Sequence, residues 1–394
     1  MKSSRSSLGI LFFTVFLDLV GFGIILPVLP IYAKALGASG LMIGLVASIF
    51  SVMTFIFSPL IGRMSDRIGR RPALLGGITL SMVSYVIFGY SGTLFLLLLS
   101  RMLSGIGASN ISVAQAYITD VADPAKRAKS LGLIGAAFGL GFIFGPAIGG
   151  WMKTAYGIEG VGLTAAGLSA LNLVLAFSFL PESLKERKTA SERVSLPTAI
   201  RKAFHHPGKS RLLTLVFVFT FAWVMMQISF ALFANERLGM TERGIGTAFA
   251  AMGVVSAILQ GTLIGRLTAR FGERKLLIAG TLFMAAGLTL VPVVPSWEVT
   301  FVVLPLTAIG SGLMNPSIAS LLSSFSSPVE QGETLGLSQS ASSLARILGP
   351  IAGSLLYEQE FHSPYFAGGL LMLVCTIMVV PLLRTPSTGT PAAR

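Results

Sequence analysis

The chain has 394 residues, 53% of them hydrophobic and only 11% charged, with a mean hydropathy of +0.80 and a formal net charge of +13. This composition excludes an ordinary soluble globular protein, because the charged residues sit in short windows between apolar runs of about 20 residues, the length that crosses a hydrocarbon layer. The single cysteine, Cys375, rules out a disulfide framework or a zinc cluster within the chain, and no metal or cofactor is expected.

The first apolar run, Leu8 to Ala33, holds one charge at its centre, Asp18. At about 1.5 Å per residue Asp18 lies about 15 Å along the helix, near the middle of a layer about 30 Å thick. A carboxylate there costs roughly 2.5 to 3.5 kcal/mol on insertion scales, so a functional role is the default reading. Lys2 and Arg5 before the run, and Ala33-Lys34-Ala35 after it, resemble a secretory signal and cleavage site. The run is too long for one, and the segment is expected to stay in the mature protein.

Eleven further runs follow, at about 41–62, 73–91, 94–118, 130–152, 161–181, 212–235, 245–265, 276–295, 299–322, 334–357 and 363–383. Twelve crossings put both termini on one side. On that side lie 23 of the Lys and Arg residues, against four opposite: Lys34, Lys153, Arg237 and Arg243. The positive-inside rule makes the rich side cytoplasmic, and the same bias explains the net charge without a nucleic-acid surface. The predicted protein is a multi-pass protein of the inner membrane, monomeric, with the lipid bilayer as its surroundings.

The composition turns mixed and charged between Pro181 and Arg211. The predicted organisation is therefore an N-terminal six-helix bundle over 1–181, a cytoplasmic linker over 182–211 and a C-terminal six-helix bundle over 212–394. Within the linker, residues 196–204 form either a short amphipathic helix on the membrane surface or a solvated loop.

The halves repeat each other at an offset of about 204. Gly62 to Arg71 answers to Gly265 to Arg274, Gly105-Ile106-Gly107 with Asn110 to Gly310-Ser311-Gly312 with Asn315, and Gly145-Pro146 to Gly349-Pro350. Such a repeat points to two related bundles about a central site, the plan of an alternating-access transporter.

The loop Gly62 to Pro72, Arg101 with Gly105 and Gly107 in the fourth run, and Gly135, Gly139, Gly141, Gly145, Pro146, Gly149 and Gly150 in the fifth carry a resemblance to the major facilitator superfamily, in particular to its tetracycline and multidrug proton antiporters. The resemblance covers essentially the whole chain. It implies an all-α fold of twelve transmembrane helices in two pseudo-symmetric bundles, a small-molecule substrate exchanged for protons, and no enzyme activity. It also implies roles: Asp18 as proton carrier, Arg101 as the fixed charge that tunes it, and a cytoplasmic gate of Gly62, Asp66, Arg70, Arg71 and Asp120. The fifth-run motif, Gly141, Gly145, Pro146, Gly149 and Gly150, is associated with antiport. The sequence departs from the tetracycline pumps in two places, with no histidine in 245–265 and no acid in 276–295.

Read from the residues themselves, Asp18 shares a helix face with Thr14, Gly21, Phe22 and Ile25, and Arg101 with Gly105, Ala108, Ser112, Gln115 and Thr119. Such small or polar faces pack on other helices or line water. Two alternatives stand beside the functional ones: a permanent Asp18–Arg101 ion pair, and an Arg101 that snorkels to the outer interface. Further candidate ligand contacts are Phe22, Asn110, Gln115, Gln227, Asn315, Gln339 and Arg346. Arg346 brings a second cation into the membrane interior, and with it a rival reading in which the substrate is an anionic lipid, glycolipid or metabolite. A receptor or scaffold without flux is the third reading. In the second half Ala269 and Glu273 replace Asp66 and Arg70, so any gate there is weaker or rearranged. If Asp18 were structural, coupling would fall to Asp66, Asp120 or Glu333.

Overall fold

A computed structural model describes residues 2–123, 127–184, 206–326 and 330–384. The predicted amphipathic stretch 196–204 lies outside the described residues. Among them the order is α1 (Lys2–Ile25), α2 (Leu29–Ala35), α3 (Gly40–Ile68), α4 (Arg70–Gly89), α5 (Leu94–Gly107), α6 (Asn110–Val121), α7 (Arg127–Phe179), α8 (Pro207–Glu236), α9 (Glu242–Ile258), a π turn (Leu259–Leu263), α10 (Ile264–Phe271), α11 (Glu273–Leu290), α12 (Trp297–Ser324), α13 (Gln331–Gln359) and α14 (Ser363–Val379).

Taken with their short breaks, these elements make ten stretches long and apolar enough to cross a membrane, Ser7–Ala35 joining α1 with α2, Leu94–Val121 joining α5 with α6 and Glu242–Phe271 joining α9 with α10. The longest, Ser130–Phe179, counts once but holds the fifth and sixth predicted runs, because α7 leaves helical geometry at Gly157 (φ 68°, ψ −163°). The eleventh run is α13, long enough at 29 residues but too rich in Ser, Gln, Glu and Arg to rank with the ten.

Helix ends follow local chemistry. Ser39 and Thr93 cap α3 and α5 by accepting from the N–H groups of Met42 and Leu96. Pro27, with no N–H to give, separates α1 from α2. Gly69 and Gly272, equivalent in the sequence repeat, both take positive φ (108° and 75°) between two helices, so the repeat extends to backbone conformation. The fourth run is not one helix: it breaks at Ala108 and Ser109, where hydrogen bonds tighten to the third residue back. By contrast α7 continues through Pro146 and bends at Gly157.

Packing divides the chain into two compact units. The first contains residues 1–191, 227–254 and 350–361. Its core joins Leu11, Val15 and Leu19 of α1 to Leu74 and Ile78 of α4 and to Val113 and Tyr117 of α6. The motif glycines explain how α7 lies along α1: a Cβ on Gly141 would strike Leu19, one on Gly145 would strike Gly23, and one on Gly149 the Ile24 carbonyl. Gly150 meets the backbone of Glu242, and Gly246 that of Pro146, giving α9 the same close approach. Gly135 and Gly139 have nothing within 4 Å, so that part of the glycine pattern makes no such contact.

The second unit contains residues 192–226, 255–349 and 362–394. Here α11 crosses α12 with Gly280 against Gly310, and Leu259 of the π turn packs with Leu276 and Leu313.

Candidate functional site

Asp18 is partly buried in the first unit, and amides hold it. Asn172 Nδ2 donates to Asp18 Oδ1 at 3.0 Å and to the Thr14 carbonyl at 3.0 Å. Asn110 Nδ2 reaches Asp18 Oδ2 at 3.5 Å and the Leu74 carbonyl at 3.2 Å. The break between α5 and α6 places Asn110 in the first turn of α6, over Gly77, where any Cβ would collide with the Asn110 amide. The Oδ1 atoms of Asn110 and Asn172 and the Thr14 hydroxyl are buried with no hydrogen-bond partner among the described residues. Asn172 was not among the sequence candidates. Its signal was present, as the lone amide in the apolar run 161–181.

Arg101 is 3% exposed, which removes the snorkelling alternative. It makes no ion pair with Asp18, so the permanently paired carboxylate is removed too. Its guanidinium lies over the Phe50 ring at 4.8 Å, and Phe50 stacks on Phe22 at 4.7 Å. Arg101 Nε and Nη1 are buried and donate to nothing among the described residues. Tyr85, packed against Gly21, stands within electrostatic reach of both Asp18 and Arg101, and sequence reasoning missed it as well.

Of the other expected contacts in this unit, Gln115 is exposed and Gln227 partly buried. In the second unit Asn315, Gln339 and Arg346 are each exposed in mid-helix. So is Gln260, which the sequence reading passed over; it stands in the π turn and donates to Ser256 Oγ at 2.7 Å.

At the Ile68 end of α3 the expected gate residues meet. Arg70, 3% exposed, pairs with Asp66 at 2.6 Å and Asp120 at 3.1 Å and donates to Ser65 Oγ at 2.6 Å. Ser183 donates to Asp120 at 3.3 Å. Glu182, absent from the sequence candidates, accepts from the N–H groups of Arg70 and Arg71 at 2.9 and 3.1 Å and so caps α4. Arg71 takes no part in the Asp66 and Asp120 cluster: it donates to the Phe177 carbonyl at 2.5 Å and lies over the Phe177 ring. Gly62 leaves an open approach to Ser112, 3.8 Å from where its Cβ would be. In the repeat-related loop, Glu273 accepts from Ser320 Oγ at 3.0 Å.

At the Gly40 end of α3, Lys34 pairs with Glu236 at 2.5 Å, and Tyr357 donates to the other Glu236 oxygen at 3.3 Å. Glu358 accepts the Gly40 N–H at 3.0 Å. These groups border a cavity of about 260 Å³.

A family model described as the Major Facilitator Superfamily matches residues 11–263 and 228–394. The chain belongs to this superfamily. Over 393 residues it is 31% identical to the class C tetracycline resistance protein of Escherichia coli, covering 98% of each chain. Multidrug resistance protein 2 of Bacillus subtilis (strain 168) is 29% identical over 371 residues, with 93% of this chain and 92% of the relative covered. Among solved structures, a POT family transporter in complex with a thioalcohol-conjugated peptide shares the fold, with a TM-score of 0.80 at 14% identity over 96% of both chains. So does the human organic anion transporter MFSD10 (TETRAN), with a TM-score of 0.70 at 24% identity over 95% of this chain and 99% of that one. The protein is thus an all-α, multi-pass membrane transporter of the major facilitator fold that carries a small molecule, and not an enzyme.

Proposed function

We propose that this transporter is a proton-coupled antiporter that exports a small amphipathic compound by alternating access between two six-helix halves, 1–181 and 212–394. The observation that carries the reading is the way Asp18 is held: by the neutral amides of Asn172 and Asn110, with no ion pair to Arg101. A carboxylate held by amide N–H groups can take a proton without breaking a salt bridge, and the unused amide oxygens beside it can accept from a protonated carboxyl. Arg101 cannot plausibly deprotonate, so it supplies a constant positive charge against which the Asp18 charge changes. Similarity to tetracycline and multidrug resistance proteins supports a drug-like cargo.

On this reading Phe22, Asn110, Gln115 and Gln227 are cargo contacts in the first unit. Arg70, with Asp66 and Asp120, latches the cytoplasmic end, and the close α1–α7 seam of Gly141, Gly145 and Gly149 transmits movement to Asp18. The protein works as a monomer in the inner membrane with both termini cytoplasmic.

The test is proton release from detergent-purified protein on adding cationic, neutral and anionic amphiphiles, compared with Asp18→Asn. Release triggered by a ligand in wild type and lost in the variant is the expected result. Equal release from the variant overturns the role of Asp18 and moves coupling to Asp66, Asp120 or Glu333.

A further inference from the structure

We propose that Arg346 binds the cargo through an oxyanion, so that the transported amphiphile carries a carboxylate, phosphate or sulfonate; this rests on the export reading above. Arg346 stands in α13 about 22 Å from its Gln331 end and about 20 Å from its Gln359 end, farther than an arginine can snorkel to either interface. Its side chain is exposed, and it has no hydrogen bond or ion pair among the described residues.

The helix itself says which medium Arg346 meets. At about 100° per residue, the exposed Leu344, Leu348 and Leu355 fall about 160° to 180° around α13 from Arg346, and they form its lipid-compatible face. Gln339 and Ser342 lie within about 40° of Arg346, on a face that also carries the exposed Leu335 nearer the Gln331 end. In the proposal the guanidinium faces a polar cavity and not lipid, which would not solvate it.

The two cations of the spans differ. Arg101 is covered by the Phe50 ring, which is partial compensation for its charge. Among the described residues Arg346 has neither a ring over it nor a carboxylate paired with it. A permanent charge at this depth is costly without a counter-ion, and its planar fork of donors matches an oxyanion in two-point fashion. In the proposal the cargo's own negative charge pairs with it.

The test uses the full chain in proteoliposomes as wild type, Arg346→Gln, Arg346→Lys and Asp18→Asn. The probes are carboxyfluorescein as a soluble oxyanion, fluorescently labelled phosphatidylglycerol as a lipid oxyanion, and ethidium as a cation. The expected result is that wild type binds and moves one of the two oxyanions, that Arg346→Gln weakens this about tenfold or more, and that Arg346→Lys retains most of it. The oxyanion that responds identifies soluble or lipid cargo. Unchanged oxyanion binding in Arg346→Gln, preference of wild type for ethidium, or binding of neither oxyanion overturns the proposal. The Asp18→Asn arm separates the two readings: if proton flux persists in that variant, antiport through Asp18 fails while the Arg346 comparison still decides the cargo charge.

Discussion

Asn172 Nδ2 donates to Asp18 Oδ1 at 3.0 Å, joining the second limb of α7 to the centre of α1 across 154 residues of sequence. The same amide hydrogen-bonds the Thr14 carbonyl, so the Asn172 side chain is fixed to α1 twice. A hydrogen bond to a charged group contributes about 1.5 to 3 kcal/mol. Asn172→Leu should therefore slow proton-driven transport about ten- to a hundredfold, while the purified protein remains monodisperse. Transport assays under an imposed pH gradient check this. A wild-type rate in Asn172→Leu would make the contact irrelevant to coupling.

The glycine seam makes a sharper contrast. A Cβ on Gly145 would lie 2.6 Å from Gly23 Cα, backbone against backbone, and neither helix can yield without shifting the other. Gly145→Ala should cost about 1 to 3 kcal/mol by overpacking. Gly139→Ala, with nothing within 4 Å, should change stability by no more than about 0.5 kcal/mol. Thermal unfolding of the two variants side by side measures the difference, and equal losses would refute the packing account.

The spans were legible because lipid demands about 20 apolar residues, and Asp18 was legible because nothing else in its run is charged. Asn172 is neutral and its run remains hydrophobic around it, so its one sequence signal, a lone amide in 161–181, gains meaning only from its hydrogen bond to Asp18. The break at Ala108 and Ser109 leaves no proline or charge in the sequence, yet it starts α6 at Asn110. Glu182 read as the first residues of a linker, because capping of α4 from the end of the sixth run depends on long-range packing. The run 334–357, read from the sequence as one of the apolar spans, is α13, whose hydropathy is weak for a crossing helix and whose Gly349-Pro350 answers to Gly145-Pro146 of α7.

The Lys34–Glu236 pair is close, at 2.5 Å, but its side chains are 52% and 32% exposed. Water and salt screen such a pair, and its contribution is about 1 kcal/mol or less. Glu236→Gln alone should lower the unfolding temperature slightly, with the difference from wild type shrinking as salt is added. The swap Lys34→Glu with Glu236→Lys should recover part of it. Tyr357 also donates to Glu236 and keeps a hydrogen bond when the carboxylate becomes an amide. A salt-independent loss would show that packing, and not charge, is what the substitution disturbs.

Arg70 presents the opposite case. It is 3% exposed and serves three partners: Asp66 at 2.6 Å, Asp120 at 3.1 Å and Ser65 Oγ at 2.6 Å. Asp120 has a side chain only 10% exposed, so removing the guanidinium leaves a carboxylate in a poor solvent without its cationic partner, although Ser183 still donates to it. Breaking a buried pair from one side costs about 3 to 5 kcal/mol. Arg70→Ala should approach that figure. Asp66 is 31% exposed and water can replace the contact, so Asp66→Asn should cost far less. The ammonium of Arg70→Lys is a point charge and cannot span three acceptors in the fork geometry, so this variant should recover only part of the loss. The decisive measurement is a double-mutant cycle between Arg70→Ala and Asp120→Asn by thermal unfolding. If the second substitution relieves much of the first, the cost is that of an unpaired charge; if the losses add, Arg70 stabilises this end of the helix bundle through its other contacts.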